Sequence, residues 1–317
     1  MTGTENESPT GAQGGVQDAA PTAATATAPN SAPAAPHTAN WNLDSLAARG
    51  IDPNAAYDSL VEQTAAAIHA AGFTHALIGL SGGIDSSLTA TIAVDALGAD
   101  CVHGALMPSP YSSRGSLLDA NQLATNLNIS THTLPITPVF NAFRATLAPV
   151  FRDAPPDVTE ENLQARIRGT LLMALSNKFD WFVLATGNLS EAAMGYATLY
   201  GDMVGSFAPL APLLKAWVYE LAHVRNIRAA AAGHTPPIPP AALTKEPSAE
   251  LSAGQTDRDA LGGYEHLDPV LYRHLFCAAD ADALIAAGFD ADYVTTTLNR
   301  YRSMQFKRDL ACPGAIL

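Results

Sequence analysis

The chain is 317 residues long with a hydrophobic fraction of 48%, which provides an ordinary globular core for one large domain or two small ones. Thirty acidic against seventeen basic residues leave a formal charge of −13, which repels a phosphate backbone at long range and argues against nucleic acid as the main partner. No run of about 18 or more apolar residues is free of charge and proline, so no membrane-spanning helix is expected.

Cys101, Cys277 and Cys312 are odd in number and widely spaced, with no C-x-x-C and no H-E-x-x-H, and read as reduced thiols of a cytoplasmic protein. The nine histidines show no metal-ligand spacing.

Residues 1 to about 38 are mostly Ala, Thr, Pro, Gly, Ser and Asn, with Val16 as the single branched aliphatic residue. Such a segment cannot bury enough apolar surface to offset its ordering entropy, so a disordered low-complexity tail is expected over 1–40 and a folded domain over 41–317. The tail lacks the basic start and apolar core of a secretory signal and the arginines of a transit peptide.

Trp41, Leu43, Leu46, Ile51, Tyr57 and Leu60 open the domain, and Tyr57 to Ala71 reads as its first helix. The apolar run from Ala76 through Gly79 to Leu80 then reads as a buried strand that passes straight into S-G-G-I-D-S-S, residues 81 to 87. After that turn Ile84, Leu88 and Ile92 recur at helical spacing.

This strand, turn and helix are the pattern of a phosphate site. Gly82 and Gly83 let the backbone turn and face its N–H groups to an anion, and the helix adds partial positive charge at its first turn. Ser81, Ser86 and Ser87 add hydroxyl donors, and Asp85 adds an oxygen ligand for nucleotide-bound magnesium. The loop has neither the lysine of the Walker type nor the G-x-G-x-x-G dinucleotide pattern.

Cys101 to Met107 reads as the next strand, and the prolines near Tyr111 break the pattern. A helix over Leu117 to Leu127 follows, then a strand over Thr131 to Ile136 and a helix from about Pro138 to Phe151. Residues 159 to 179 form a helix with Glu160 and Glu161 in its first turn and Leu163, Ile167, Leu171 and Leu175 on one stripe; it also carries Arg166 and Arg168. Trp181 to Ala185 is a strand leading into Thr186, Gly187 and Asn188 and then a helix bearing Glu191. Repeated strand-then-helix order predicts an α/β fold, a doubly wound, mostly parallel sheet with helices on both faces and ligands at the C-terminal strand ends. Thr186 and Glu191 should therefore lie near the first loop. The run T-P-P-I-P-P at 235 to 240 reads as a rigid connector.

The loop S-G-G-x-D-S resembles the pyrophosphate loop of the ATP pyrophosphatases, of adenine nucleotide alpha hydrolase-like fold. E-N-L-Q-A-R-I-R-G (161 to 169), T-G-N-L-S-E onward (186 to 207), T-K-E-P-S-A-E-L (244 to 251), the run from Asp259 to Asp268, and Tyr301 to Arg308 together resemble the synthetase domain of NAD synthetases. The resemblance implies a ligase that adenylates the carboxylate of nicotinic acid adenine dinucleotide (deamido-NAD) with Mg·ATP and lets ammonia displace AMP to give NAD. By position it implies ATP contacts from Gly79, Leu80, Ser81, Gly82, Gly83, Ile84, Asp85, Ser86, Ser87, Thr186, Lys215 and Ser248. It further implies deamido-NAD contacts from Arg166, Glu191 and Lys307, magnesium on Asp85 and Glu191, and catalytic roles for Asp85, Lys215 and Asp202.

The motif wording is closer to the glutamine-dependent branch, whose nitrilase-like glutaminase domain has no counterpart in residues 1–40. Free ammonia, or ammonia from a separate glutaminase, is accordingly the expected nitrogen source, and the family implies a homodimer. Leu189 stands where G-N-K-S-E has lysine, and Asp309 and A-C-P-G-A-I-L depart from the basic chain end common in the family. A GMP synthetase-like ligase and a non-catalytic nucleotide-binding subunit are the alternatives; a tRNA-thiolating relative is disfavoured by the acidic charge and the absence of paired cysteines.

Overall fold

The computed structural model describes residues 45–317. The expected tail over 1–40, together with Trp41 and Leu43, lies outside the described residues.

Helix α1 (Pro53–Ala70) starts earlier than apolar spacing alone indicates, because Asp52 caps it by accepting the Asn54 N–H and Pro53 supplies a preset first turn. Strand β1 (His75–Gly79) then feeds α2 (Ile84–Leu97), and β2 (Val102–Leu106) feeds α3 (Arg114–Leu127). Ser113 sets the start of α3 by accepting the Ser116 N–H.

Strand β3 (Ser130–Thr133) is shorter than expected: Pro135 has no N–H, so beyond Thr133 only the Leu134 and Ile136 N–H groups reach the Leu106 and Pro108 carbonyls. Helices α4 (Thr137–Phe151) and α5 (Val158–Phe179) follow, then β4 (Trp181–Val183). Strand β4 also ends early, but Leu184 and Ala185 continue in line by pairing with the Phe207 segment.

All strand pairs are parallel, in the order β3-β2-β1-β4. The side-chain period of two sorts the strands onto two cores. Ala76, Ile78, Val102, Leu106 and Phe182 face a cluster that includes Tyr57, Leu60, Leu88, Ile92, Leu123 and Trp217. Leu77, Ala105 and Val183 face the opposite side, against Ile136, Phe140, Ile167 and Leu172. The sheet is thus covered on both faces, as a doubly wound fold requires.

Because the chain moves from β1 to β2 and β3 and then returns to place β4 on the other side of β1, the strand order reverses between β1 and β4. The crevice outside the carboxyl ends of those two strands is where an open α/β sheet binds its ligand.

The remainder is helical: α6 (Leu189–Ala193), α7 (Lys215–Ala231), α8 (Pro240–Thr244), α9 (Asp257–Leu261), α10 (Tyr264–Phe276), α11 (Ala281–Ala286), α12 (Ala291–Ser303) and α13 (Gln305–Arg308). The proline-rich connector is pinned at Ile238, whose N–H and carbonyl are both bonded by the Asn226 side chain. Residues 313–316 have a packing role: the Ala208 N–H donates to the Pro313 carbonyl, the Ala315 N–H returns to Ala208, and Gln63 takes both backbone groups of Ile316. Among the described residues no helix is long and apolar enough to cross a membrane.

Candidate active site

The turn after β1 is shaped by contacts with α3. Gly82 adopts φ +79°, and a methyl group there would lie 2.1 Å from the Ser116 carbonyl oxygen, so the position admits only glycine. Gly83 is different: it caps α2 in an extended conformation with no side-chain cap bond, leaving the first-turn N–H groups of α2 available to an anion. The Ser81 and Ser86 hydroxyls bond each other at 3.0 Å, and Ser87 is buried with its hydroxyl donating to the Gly83 carbonyl at 2.8 Å.

The turn after β4 meets this loop. Asn188 caps α6 in a capping box with Glu191, and its side-chain amide donates to Asp85 Oδ1 at 2.8 Å. Lys215 opens α7 and is 2% exposed; its ammonium lies 2.6 Å from Asp85 Oδ2, 3.3 Å from Glu191 Oε1 and 4.9 Å from the centre of the Tyr264 ring. Asp268 holds the α7 start in place by accepting the Ser190 hydroxyl and the Ala216 N–H, while Ser190 accepts the Lys215 N–H.

Burial pushes Glu191 up to about 8, with Lys215 opposing and Asp85 adding to the rise. Burial works against charge on Lys215 too, but Asp85 and then Glu191 outweigh it and hold the ammonium above its usual range. The result is a buried cation held between two acids, one of them near its protonation point.

A strap over residues 245 to 255 closes the side of the loop. Lys245 Nζ donates to the Gly82 carbonyl at 3.2 Å and to the Ser116 hydroxyl at 2.8 Å, and pairs with Asp119 at 3.2 Å. Glu250 accepts the Ser116 hydroxyl at 2.6 Å and the Ser113 N–H at 3.0 Å, at the start of α3.

These parts enclose a cavity of about 390 Å³, of a size suited to a nucleotide-class ligand. Of the loop residues singled out from the sequence, Gly79, Leu80, Ser81, Gly83, Ile84, Asp85 and Ser86 line it, whereas Gly82 and Ser87 lie behind the lining. Thr186, Glu191, Asp202, Lys215, Ser248 and Lys307 also line it. Within that lining the Ser248 hydroxyl is occupied, donating to the Gln255 carbonyl at 2.5 Å and accepting the Glu250 N–H, so it shapes the strap. Asp202 Oδ1 accepts the Thr198 N–H at 2.6 Å, and Lys307 Nζ donates to the Gly195 and Ala197 carbonyls.

Arg166 is the one singled-out cation outside the cavity lining; its Nε donates to the Leu199 carbonyl at 3.2 Å. Its neighbour Arg168 lines the cavity instead. Asn188, Lys245 and Glu250 were not singled out from the sequence. The N-x-x-E capping signature at 188 to 191 was the one visible signal for the first, and the other two depend on contacts across more than a hundred residues of chain.

Asp85 Oδ2 and Glu191 Oε1 both meet the Lys215 ammonium, and carboxylates such as these are the hard oxygen donors that magnesium takes one or two at a time, completing its shell with water and phosphate oxygens. Among the described residues no group of three or more His, Cys, Asp or Glu side chains forms a metal centre of its own.

A parallel α/β sheet with a glycine-shaped anion loop at its topological switch point, a buried lysine and two carboxylates defines a nucleotide-binding domain of the ATP-handling type. A family model described as NAD synthase matches residues 56–311, and the chain belongs to that family. A glutamine-dependent NAD(+) synthetase of Synechocystis is 47% identical over 264 residues, covering 83% of this chain and 46% of the relative. The structure of a glutamine-dependent NAD+ synthetase from Acinetobacter baumannii, in complex with ADP, matches with a TM-score of 0.58 at 41% identity, over 83% of this chain and 46% of that one. An NH3-dependent NAD synthetase from Campylobacter jejuni matches with a TM-score of 0.65 at 26% identity, over 81% of this chain and 97% of that one. The chain thus spans about half the length of the glutamine-dependent relatives it matches and nearly the whole of the NH3-dependent one.

Proposed function

We propose that the chain forms NAD by ATP-dependent amidation of deamido-NAD, with ammonia as the nitrogen donor. The observation that carries this reading is the meeting of Asp85, Glu191 and Lys215 beside the anion loop, in a chain of the NAD synthase family.

A carboxylate is a poor acyl donor, so its oxygen attacks the α-phosphorus of ATP and pyrophosphate leaves, giving an acyl adenylate. Ammonia then attacks the acyl carbon, AMP departs and one proton is released. The α2 N-terminus and the loop N–H groups bind the departing pyrophosphate, and Lys215 neutralises charge that builds there. Asp85 and Glu191 would hold magnesium arriving with ATP, which would supply further charge neutralisation on the phosphates. Asn188 orients Asp85, and Asp268, through Ser190, fixes the helix start that carries Lys215.

Helix α4 buries only Phe140 of its apolar residues and leaves Val139, Phe143 and Val150 exposed, a surface that supports a homodimer; Arg166, outside the cavity of one chain, would then serve a dinucleotide site at the interface.

Pyrophosphate release tests the first half-reaction directly. It should require both Mg·ATP and deamido-NAD and should proceed without any nitrogen source. Release that ignores the dinucleotide contradicts this substrate assignment.

A further inference from the structure

Helix α5 turns Ala165, Arg168, Gly169 and Leu172 toward the cavity, a single helical stripe. The helix lies close there: a methyl group on Gly169 would come within 2.8 Å of the Gly201 carbonyl oxygen, and one on Gly79 within 3.7 Å of Leu172 Cδ1. Arg168 is therefore carried on a backbone that has little room to shift. Its Nε donates to the Met107 carbonyl at 3.1 Å, at the carboxyl end of β2, and among the described residues this is the one hydrogen bond that its guanidinium makes. Arg168 lines the cavity, and the other four N–H groups of its guanidinium have no carboxylate in contact.

Burial lowers the Arg168 pKa to about 10, with Glu250 and then Asp202 pulling it back up from a distance, so the group is charged at neutral pH. A partly buried guanidinium without a partner anion is destabilised relative to one that an anion meets. In a chain of formal charge −13 carboxylates are plentiful, and Lys215 and Lys245 in the same cavity each have one in contact. Arg168 does not. We infer that Arg168 is a nucleotide-binding residue, whose terminal N–H groups take a phosphoryl group of the ligand bound over the loop Ser81–Ser87. This inference rests on the nucleotide-ligase reading above, and it concerns a different side chain from Arg166, which points to Leu199.

The phosphoryl group belongs either to ATP or to the dinucleotide, and titration calorimetry of each against the full chain separates the two. Charge-assisted bonds of this kind are worth about 1.5–3 kcal/mol, so Arg168→Gln should weaken ATP, deamido-NAD or both by about ten- to a hundred-fold. The ligand that loses affinity is the one contacted. Arg168→Lys keeps the charge without the fork and should recover part of the loss. Affinities within about twofold of wild type for both ligands in the Gln variant would overturn the inference while leaving the ligase reading intact. It would also fall if the Gln and Lys variants lose affinity equally and melt well below wild type, since that marks a packing role. A wild-type chain that binds neither ligand removes the ligase reading and this inference together.

Discussion

Gly82 and the Ser116 carbonyl are so close that a methyl group on Gly82 would lie 2.1 Å from the oxygen. The anion loop is thus cast against the first turn of α3, and its left-handed turn at φ +79° is unavailable to alanine without strain of about 1–2 kcal/mol before any overlap is counted. Gly82→Ala should weaken ATP binding at least about tenfold, measured by calorimetry. Gly83→Ala, at a position with φ −85° where the added methyl meets only the movable Ser81 hydroxyl, should change it by less than about threefold. Equal effects at the two glycines would contradict this account of the turn.

Lys215→Met leaves Asp85 and Glu191 facing each other without their cation. Removing one member of a buried pair costs about 3–5 kcal/mol, and a clearly lower melting temperature is expected, with turnover reduced by about a hundredfold or more. Adding Asp85→Asn to Lys215→Met should cost less than the sum of the two single changes in a double-mutant cycle. Additive losses would mean that the two side chains act independently.

Glu191 provides a pH signature. Its folded-state pKa of about 8 lies above the ordinary 4.5, so the folded chain binds more protons than the unfolded one between those values. Stability from this group is fully present below about 4.5 and is lost as pH rises through about 8. In magnesium-free buffer the melting temperature of Glu191→Gln should therefore gain on wild type by a few degrees between about pH 5 and 8.5. A gap that stays constant with pH would show that the carboxyl is not held in this state.

Lys245 ties the strap to the Gly82 carbonyl, the Ser116 hydroxyl and Asp119. Lys245→Met removes a tether outside the Lys215 cluster, so the KM for ATP should rise about five- to tenfold while kcat stays within about twofold. A loss confined to kcat would give Lys245 a part in the chemistry instead.

The order of strands and helices was legible as far as α6, because β1, β2 and β4 are apolar runs ending in turn residues and α2 and α5 keep a helical apolar spacing, whereas the helices from α7 onward were not assigned and β3, Ser-Thr-His-Thr, is no apolar run. The strand ends were less so: β3 stops where Pro135 removes a donor, and β4 hands its pairing to Phe207, a residue remote in sequence. The site was legible where local pattern carries chemistry, as in the loop from Ser81 to Ser87 and the turn from Thr186 to Glu191. It was illegible where two elements had to be placed side by side. Nothing local in Asn188 or Lys245 announces the Asp85 or Gly82 contact. Arg168 is an intermediate case, since its phase with Ala165, Gly169 and Leu172 was readable and sets it apart from Arg166, but only the fold shows which stripe of α5 faces the cavity.

The decisive measurement is NAD formation by the purified chain from deamido-NAD and Mg·ATP, run in parallel with ammonium and with glutamine. NAD is expected with ammonium, with AMP and pyrophosphate released in equal amounts, and none with glutamine alone. Measurable ATP binding with no NAD from ammonium would rule out an ammonia-using NAD-forming ligase.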